Sequence, residues 1–462
     1  MSHQLREVFI DAGFTVDGIA DLLGAEASNA LARGERVPAR RIAQQAGPLG
    51  ALIRCFVLGD VVDEKELPGN GYGALVTHGR SNYDIRPYQQ DDGDPWYVVS
   101  DRTDGGIVRR TDHVLGIGGA STMLAHSAIR TENARALDLG TGSGVQVLHL
   151  STHSEQIVAT DLNPRCIELA RLTLDLSGVE GVDLRVGNLF EPVQDESFDV
   201  IVANPPFVIG SGSYTYRDSG LPGDELSRRV IAEAAAHLAM GGTATLLVNW
   251  LHIHDEGWQD RVASWLAPTG CDALALQREV QDPAEYVGTW LRDVARDIDE
   301  NEYAEWLDTL ASTGTEAVGF GIVVLRKTDS TAPQVAIEDA PEPALPPLAP
   351  YLSARLDAID LLRRAPDLGQ LRPVLAPALL ESIAVQGQLG WAEIGRSLRL
   401  AGAGLATEVE VDEAGAALLA GCDGRHSLNE LAAVLGSLGV DRSAVLTSAS
   451  DLLRRGVLRA GR

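Results

Sequence analysis

Residues 136–150 read ALDLGTGSGVQVLHL: a short apolar run around Asp138, a turn with glycine at 140, 142 and 144, and a second apolar run at helical spacing. A strand that enters such a turn and passes directly into a helix opens a parallel βα unit. Glycine at alternate positions lets the main chain turn tightly and brings its N–H groups, and a helix N-terminus, close to a ligand with no side chains between. Outward from this stretch, short apolar segments alternate with amphipathic ones from about Trp96 to about Leu325. Strands are predicted at 134–139, 157–160, 182–186, 198–203, 244–249 and 319–325, and helices fill the gaps, notably 164–176 and 225–239, the latter stopped by Gly241 and Gly242. The pattern predicts an α/β domain built on a parallel sheet wrapped by helices.

A chain of 462 residues exceeds what one core usually organises. Four segments are expected. Residues 1–90 read as short helices, LREVFIDAGF and VDGIADLLG being stopped by Gly13 and Gly24, with GALIRCFVLGDVV after Pro48. Residues 91–327 form the α/β domain. Residues 328–350, TDSTAPQVAIEDAPEPALPPLAP, are rich in Pro and Ala and predict an extended linker. Residues 351–462 are helical again, with Ser427 and Asp441 where N-caps belong. Both end domains are expected to be winged-helix-like.

Apolar residues make up 45% of the chain and charged residues 22%, the balance of a globular protein. The start, MSHQLREVFIDAGF, lacks the basic and apolar regions of a signal peptide, and no apolar run is long enough to span a bilayer, so a cytoplasmic protein without membrane contact is expected. Cys55, Cys166, Cys271 and Cys422 are too scattered for a disulfide framework or a zinc site. His252 and His254 resemble a metal pair but have no third ligand nearby in sequence, and no metal is expected. The net charge of −27 argues against loose binding to a phosphate backbone. Residues 1–70 carry −3 and residues 351–462 carry −1, so the acidity belongs to the middle of the chain. The cluster Arg33, Arg36, Arg40 and Arg41 reads as a solvated helix face.

The glycine-rich turn discriminates between ligands. A dinucleotide fingerprint would place a third glycine where Val145 stands, whereas the spacing here is D-x-G-x-G-x-G from Asp138 to Gly144. The second predicted strand ends at Asp161, whose carboxylate can accept hydrogen bonds from both hydroxyls of a ribose, or can cap the next helix, a task that Asn163-Pro164 could take instead. The third ends in Gly187-Asn188-Leu189. This set resembles motif I and the following strand ends of the class I methyltransferases, which have a Rossmann-like seven-stranded core and use S-adenosyl-L-methionine. The resemblance implies that Asp138 helps to hold the methionine end of the cofactor, that Asp161 meets the ribose and Asn188 the adenine, and that Gly140, Thr141, Gly142, Gly144, Leu162, Leu189 and Asn204 complete the cofactor site.

The fourth predicted strand runs into Asn204-Pro205-Pro206-Phe207. An exocyclic amine of a base, or a side-chain amide, is a poor nucleophile because its lone pair is delocalised. The Asn204 side-chain oxygen and the Pro205 carbonyl can each accept one N–H of such a group and turn the lone pair toward an electrophile. The prolines fix the backbone and Phe207 offers a flat surface for a planar substrate. The motif resembles the N/D-P-P-F/Y/W signature of the amino-methyltransferases, with Asn204, Pro205, Pro206 and Phe207 as the implied catalytic residues. Upstream, in residues 112–122, Ser121 and Thr122 are possible cofactor contacts, with helix capping as the simpler role. Tyr214, Tyr216, Arg217 and Asp218 are candidates for the substrate pocket or for ordinary loop positions.

Two families share these motifs. The ribosomal-RNA guanine-N2 methyltransferases are similar in Asn188 and in the phenylalanine after the prolines, although they usually continue with His where this chain has Val208. The release-factor and ribosomal-protein glutamine methyltransferases resemble it in Asp161-Leu162-Asn163-Pro164. The flanking domains favour a nucleic-acid acceptor, most simply RNA, over a protein glutamine. A small-molecule N-methyltransferase and a scaffold that binds S-adenosylmethionine without chemistry are the remaining alternatives; the extra domains make the first less attractive, and the second would have no need of the Asn-Pro-Pro-Phe geometry.

Overall fold

The computed structural model describes residues 2–88, 93–103, 111–205, 208–209, 221–294, 299–365, 367–387, 390–437 and 439–461. Its central sheet has eight strands: β1 (Asn133–Leu139), β2 (Ser154–Asp161), β3 (Val182–Val186), β4 (Phe198–Ala203), β5 (Leu238–Ile253), β6 (Cys271–Gln281), β7 (Thr315–Lys327) and β8 (Val335–Asp339). They lie in the order β8-β6-β7-β5-β4-β1-β2-β3. The first five are parallel, β7 runs antiparallel between β5 and β6, and β8 is parallel to β6. The expected Rossmann-like α/β core is present, with eight strands where seven were expected.

Two of these strands lie outside the expected set. The sequence of β6, CDALALQREVQ, consists largely of good helix formers, yet residues 271–277 are buried throughout. Flanked by β7 and β8, the segment is a strand because tertiary burial overrides local propensity. β8 corrects the linker expected at 328–350. It pairs in parallel with residues 273–277, Ala273 donates its N–H to the Gln334 carbonyl at 2.8 Å, and the Gln334 N–H reaches the buried Asp272 carboxylate at 2.9 Å. An extended, proline-flanked segment suits a free tether and a sheet edge equally well, and only its distant partner decides between them. Similarly, the helix Glu225–His237 passes into β5 at Leu238, ahead of Gly241.

The N-terminal unit has helices Ser2–Asp11, Val16–Ala32, Val37–Ala43 and Gly47–Leu52, followed by the hairpin of Asp84–Tyr88 with Trp96–Ser100. Gly24, at φ +69° and ψ 172°, breaks the helical run as expected, and Val16–Ala32 is two helices that meet there at a kink. Phe9 packs edge-on against Phe14, Phe56 and Tyr97 at 5.1–5.4 Å between centroids. This core is shared with the helix Pro164–Ser177, whose Thr173 and Ser177 hydroxyls accept the N–H groups of Val99 and Tyr97 at 3.0 and 2.9 Å. The unit therefore braces the helix that follows β2. Its basic cluster is largely satisfied from within: Arg33 bonds to Glu35, Arg40 to Asp60, and Arg36 to the carbonyls of Leu58 and Thr103.

Beyond β8 the helix Ala349–Arg364 returns along the sheet. Arg355 is 1% exposed and forms a paired contact with Glu338 of β8, the condition for a charge to be tolerated there. Arg363 makes a single bond to the buried Asp272 of β6. Helices Glu413–Gly421, Leu428–Gly436 and Arg442–Arg454 follow, Ser427 and Asp441 capping the last two as expected. A long hairpin, Ala378–Gly387 with Gly390–Leu400, joins Glu408–Glu410 in a separate three-stranded sheet.

Candidate active site

Register brings the tips of β1 to β4 side by side: Leu139 pairs with Thr160 and with Ala203, and Asp161 with Val186. Ligands of open parallel sheets bind at this carboxyl edge. Gly140, Gly142 and Gly144 all take left-handed φ values of +74°, +54° and +83°, which makes glycine a requirement of the turn. The N–H groups of Gly140 and Thr141 both bond to the Thr160 carbonyl, at 2.9 and 3.0 Å, folding the turn across β2. The glycines then diverge in role. A side chain on Gly142 would meet nothing within 4 Å, so the loop opens there onto free space, whereas one on Gly144 would come within 3.3 Å of Ala170, so that glycine permits close helix packing.

Two carboxylates face this turn. Asp161 accepts the Gly142 N–H on one oxygen and the Asn163 N–H on the other, each at 2.9 Å, and burial raises its pKa. Asn163, not Asp161, caps the next helix, accepting from Arg165 N at 3.0 Å. Asp138 is 1% exposed and one of its oxygens has no hydrogen-bond partner among the described residues. Burial and the neighbouring charge of Asp161 push its carboxyl up to about 7. A buried acceptor without a donor is costly, and native structures seldom leave one without a reason.

At the third tip Asn188 is half-buried and donates to Glu191 at 3.1 Å, while Leu189 holds φ +46°, an uncommon value for a residue with a side chain. Leu162, beside Asp161, exposes 59% of its surface. At the fourth tip Asn204 is half-buried and Pro205 buried, and a side chain on Gly140 would lie 3.8 Å from the Asn204 carbonyl oxygen. The glycine turn and the Asn-Pro tip are thus in contact. Pro206, Phe207, Tyr214, Tyr216, Arg217 and Asp218 lie outside the described residues.

The segment that follows supplies a residue that the sequence reading missed. The buried Ile209 N–H donates to the Tyr286 hydroxyl at 2.8 Å, and Tyr286 is 0% exposed. Tyr286 stands on the helix Pro283–Val294, which with Glu300–Ser312 is inserted between β6 and β7. No local motif links it to Asn204, because the contact is made through the tertiary fold alone.

Other candidates resolve more simply. Ser121 and Thr122 bond to the Gly118 carbonyl and cap the helix Gly119–Ser127. His252 pairs with Gln277 and His254 with Glu316, so the two histidines serve different partners. Among the described residues no group of three His, Cys, Asp or Glu could hold a metal, and no helix is long and apolar enough to cross a membrane. A cavity of about 880 Å³ lies at the opposite edge of the sheet, between β8 and the C-terminal helices, and none of the motif residues lines it.

S-adenosylmethionine brings an ammonium group, a ribose diol and a flat adenine, and the residues present fit it. Asp138 has an anionic oxygen free, the Asp161 oxygens keep lone pairs beyond their main-chain bonds, Gly142 borders open space, and Leu162 offers an apolar surface.

Comparison with known proteins agrees with this geometry. Residues 116–255 match the family model described as "Methyltransferase small domain". Residues 11–79 and 354–460 match two models, DUF7059 and DUF7782, that are described as domains of unknown function. The chain is 29% identical over 199 residues to a release factor glutamine methyltransferase of Xylella fastidiosa, covering 40% of this chain and 67% of that protein. It is 32% identical over 165 residues to the protein of the same name from Deinococcus radiodurans, covering 33% and 59%. It is 30% identical over 151 residues to ribosomal RNA small subunit methyltransferase C of Salmonella arizonae, covering 32% and 41%. The chain thus spans between two fifths and two thirds of the length of these relatives. Residues 116–255 accordingly resemble a methyltransferase small domain on a Rossmann-like sheet, and the segments on either side of them match two models of unknown function.

Proposed function

We propose that this chain is an S-adenosylmethionine-dependent N-methyltransferase acting on a planar N–H group, and that this group is the side-chain amide of a glutamine in a protein. The observation that carries the reaction is a buried carboxylate, Asp138, with one oxygen unpaired, two residues before Gly140, whose other neighbour is the Asn-Pro tip. When bound, the cofactor would supply a methyl group from a sulfonium sulfur, which keeps the electron pair of the broken S–C bond as a neutral thioether. Asn204, through its side-chain oxygen, and Pro205, through its carbonyl, accept the two N–H bonds of the acceptor and localise the lone pair. The acceptor proton becomes acidic as the N–C bond forms and passes to solvent, so no strong base is needed.

Charge supports the protein acceptor. In the basic cluster of the N-terminal unit Arg33 and Arg40 are already matched by Glu35 and Asp60, which reduces what could hold a phosphate backbone. The insertion that packs on the Asn204 loop is acidic, with ten Asp and Glu against two Arg in residues 282–316. Two relatives named above are glutamine methyltransferases. The exocyclic amine of an RNA base is the second reading, supported by Asn188 at the third tip and by the Salmonella relative. Extracts of a strain lacking the protein, incubated with it and radiolabelled S-adenosylmethionine, should yield label that protease destroys and nuclease leaves intact. Label destroyed by nuclease would assign the acceptor to nucleic acid instead.

Tyr286 tests the loop. In Tyr286→Phe the Ile209 N–H loses its acceptor, a cost of roughly 1–3 kcal/mol. Methyl transfer is expected to slow by about tenfold while cofactor affinity in calorimetry stays unchanged. An unaltered rate would show that this bond does not position Asn204.

A further inference from the structure

One part of the surface is far more apolar than the rest. The hairpin Ala378–Gly387 with Gly390–Leu400 exposes Leu379, Leu380, Ile383, Val385, Trp391 and Ile394. Trp391 is 74% exposed, whereas Trp96, Trp250, Trp258, Trp265 and Trp306 are buried. Single exposed apolar residues are ordinary, but six on one hairpin, with Leu379, Ile383 and Val385 on the same face of one strand, mark an interaction surface.

The strand Ala378–Gly387 is also an open edge. Among the described residues it pairs only with Gly390–Leu400, which in turn pairs with Glu408–Glu410, so its outer side presents unpaired N–H and C=O groups. Edge strands are usually guarded by charges, prolines or bulges. This one has no proline, its single charge, Glu381, is held by Arg399 at 2.7 Å, and the register shift opposite Ile383/Ala384 falls on the inner strand at Ile394.

Charge identifies the partner. The hairpin's two arginines are each matched, Arg399 with Glu381 and Arg396 with Glu393, so it is neutral in a chain of net charge −27. A nucleic acid would need unmatched cations here and a basic protein unmatched anions. The complement of a neutral, apolar, unpaired edge is another such edge. A second copy supplies it with the self-complementarity that a two-fold axis requires, and it brings no like charges together at the contact.

We propose that this chain forms a homodimer through antiparallel pairing of Ala378–Gly387 with its counterpart, giving a continuous sheet with three strands from each subunit. Sedimentation velocity and light scattering of the full chain at micromolar concentration should report twice the mass of one chain. Trp391→Asp and Ile383→Lys alter side chains already in water, so each variant should keep the wild-type melting transition under dilute conditions and sediment as a monomer. A wild-type protein that stays monomeric across that range overturns the proposal, as does a dimer that survives both substitutions. A wild-type monomer whose hairpin instead retains RNA or a basic polypeptide, lost in Trp391→Asp, would assign the surface to that partner and equally overturn it.

Discussion

Asn204→Ala is expected to lower methyl transfer roughly 10²- to 10³-fold, the loss typical of removing one preorganised hydrogen-bonding group from a reacting centre. The side chain is half-buried at the end of β4, and the strand beneath it, Phe198–Ala203, is secured by its own burial between β1 and β5, so the fold has no stake in the amide. Pro205 retains its carbonyl, which leaves one of two acceptors and a target amine free to rotate. The implied contact of Asn204 with the cofactor is secondary beside the glycine turn and the two aspartates, so the dissociation constant for S-adenosylmethionine should change by less than about threefold, well under 1 kcal/mol. Asn204→Asp keeps an acceptor at the same place and should retain more activity than Asn204→Ala. Single-turnover transfer, paired with calorimetry, separates the effects. A wild-type rate in Asn204→Ala would remove this residue from the catalytic role.

Asp138→Asn is expected to weaken cofactor binding roughly 10- to 100-fold, the worth of a charge-assisted hydrogen bond, and at the same time to stabilise the free protein at neutral pH. The second effect follows from linkage. The carboxyl is raised from an ordinary 3.8 to about 7 by burial and by Asp161, so the folded state binds a proton more tightly than the unfolded chain. Stability contributed at this position is therefore present below about pH 4 and is lost as pH rises from about 4 to about 7. Asparagine does not ionise, so the variant should melt higher than wild type at pH 8, by roughly 2–4 °C for each kcal/mol regained, and by little at pH 4. An ammonium group favours the ionised carboxylate, so wild-type affinity should fall by up to about tenfold per unit as pH drops below 7. Asp138→Asn should lose that dependence. Thermal melts and titrations at several pH values read all of this, and a variant that binds the cofactor like wild type would place the ammonium elsewhere.

The parts of the site that were legible beforehand are those whose chemistry is local. Left-handed turns at 140, 142 and 144 demand glycine whatever surrounds them, and Asp138, Asp161 and Asn204 were recognisable because each sits within a few residues of a strand end. Their relative placement was also accessible, since consecutive parallel strands joined by helices bring their carboxyl ends to one edge. Tyr286 was not accessible, because its partner Ile209 lies in another part of the chain and an apolar helix position carries no mark of the bond it makes. Nor was the difference between Gly142 and Gly144, both glycines with left-handed φ, one bordering open space and the other Ala170.

The sequence by itself determined the α/β core, the cofactor-type turn and the Asn-Pro tip, because each rests on short-range backbone geometry and on the spacing of apolar residues. Only the tertiary structure decided that CDALALQREVQ is a strand, that the Pro- and Ala-rich segment completes the sheet as β8, and that the arginines at 36 and 40 are bound internally. Each of these depends on a partner distant in the chain, and the free energy of burying a segment against such a partner outweighs the weak local preferences that a sequence displays.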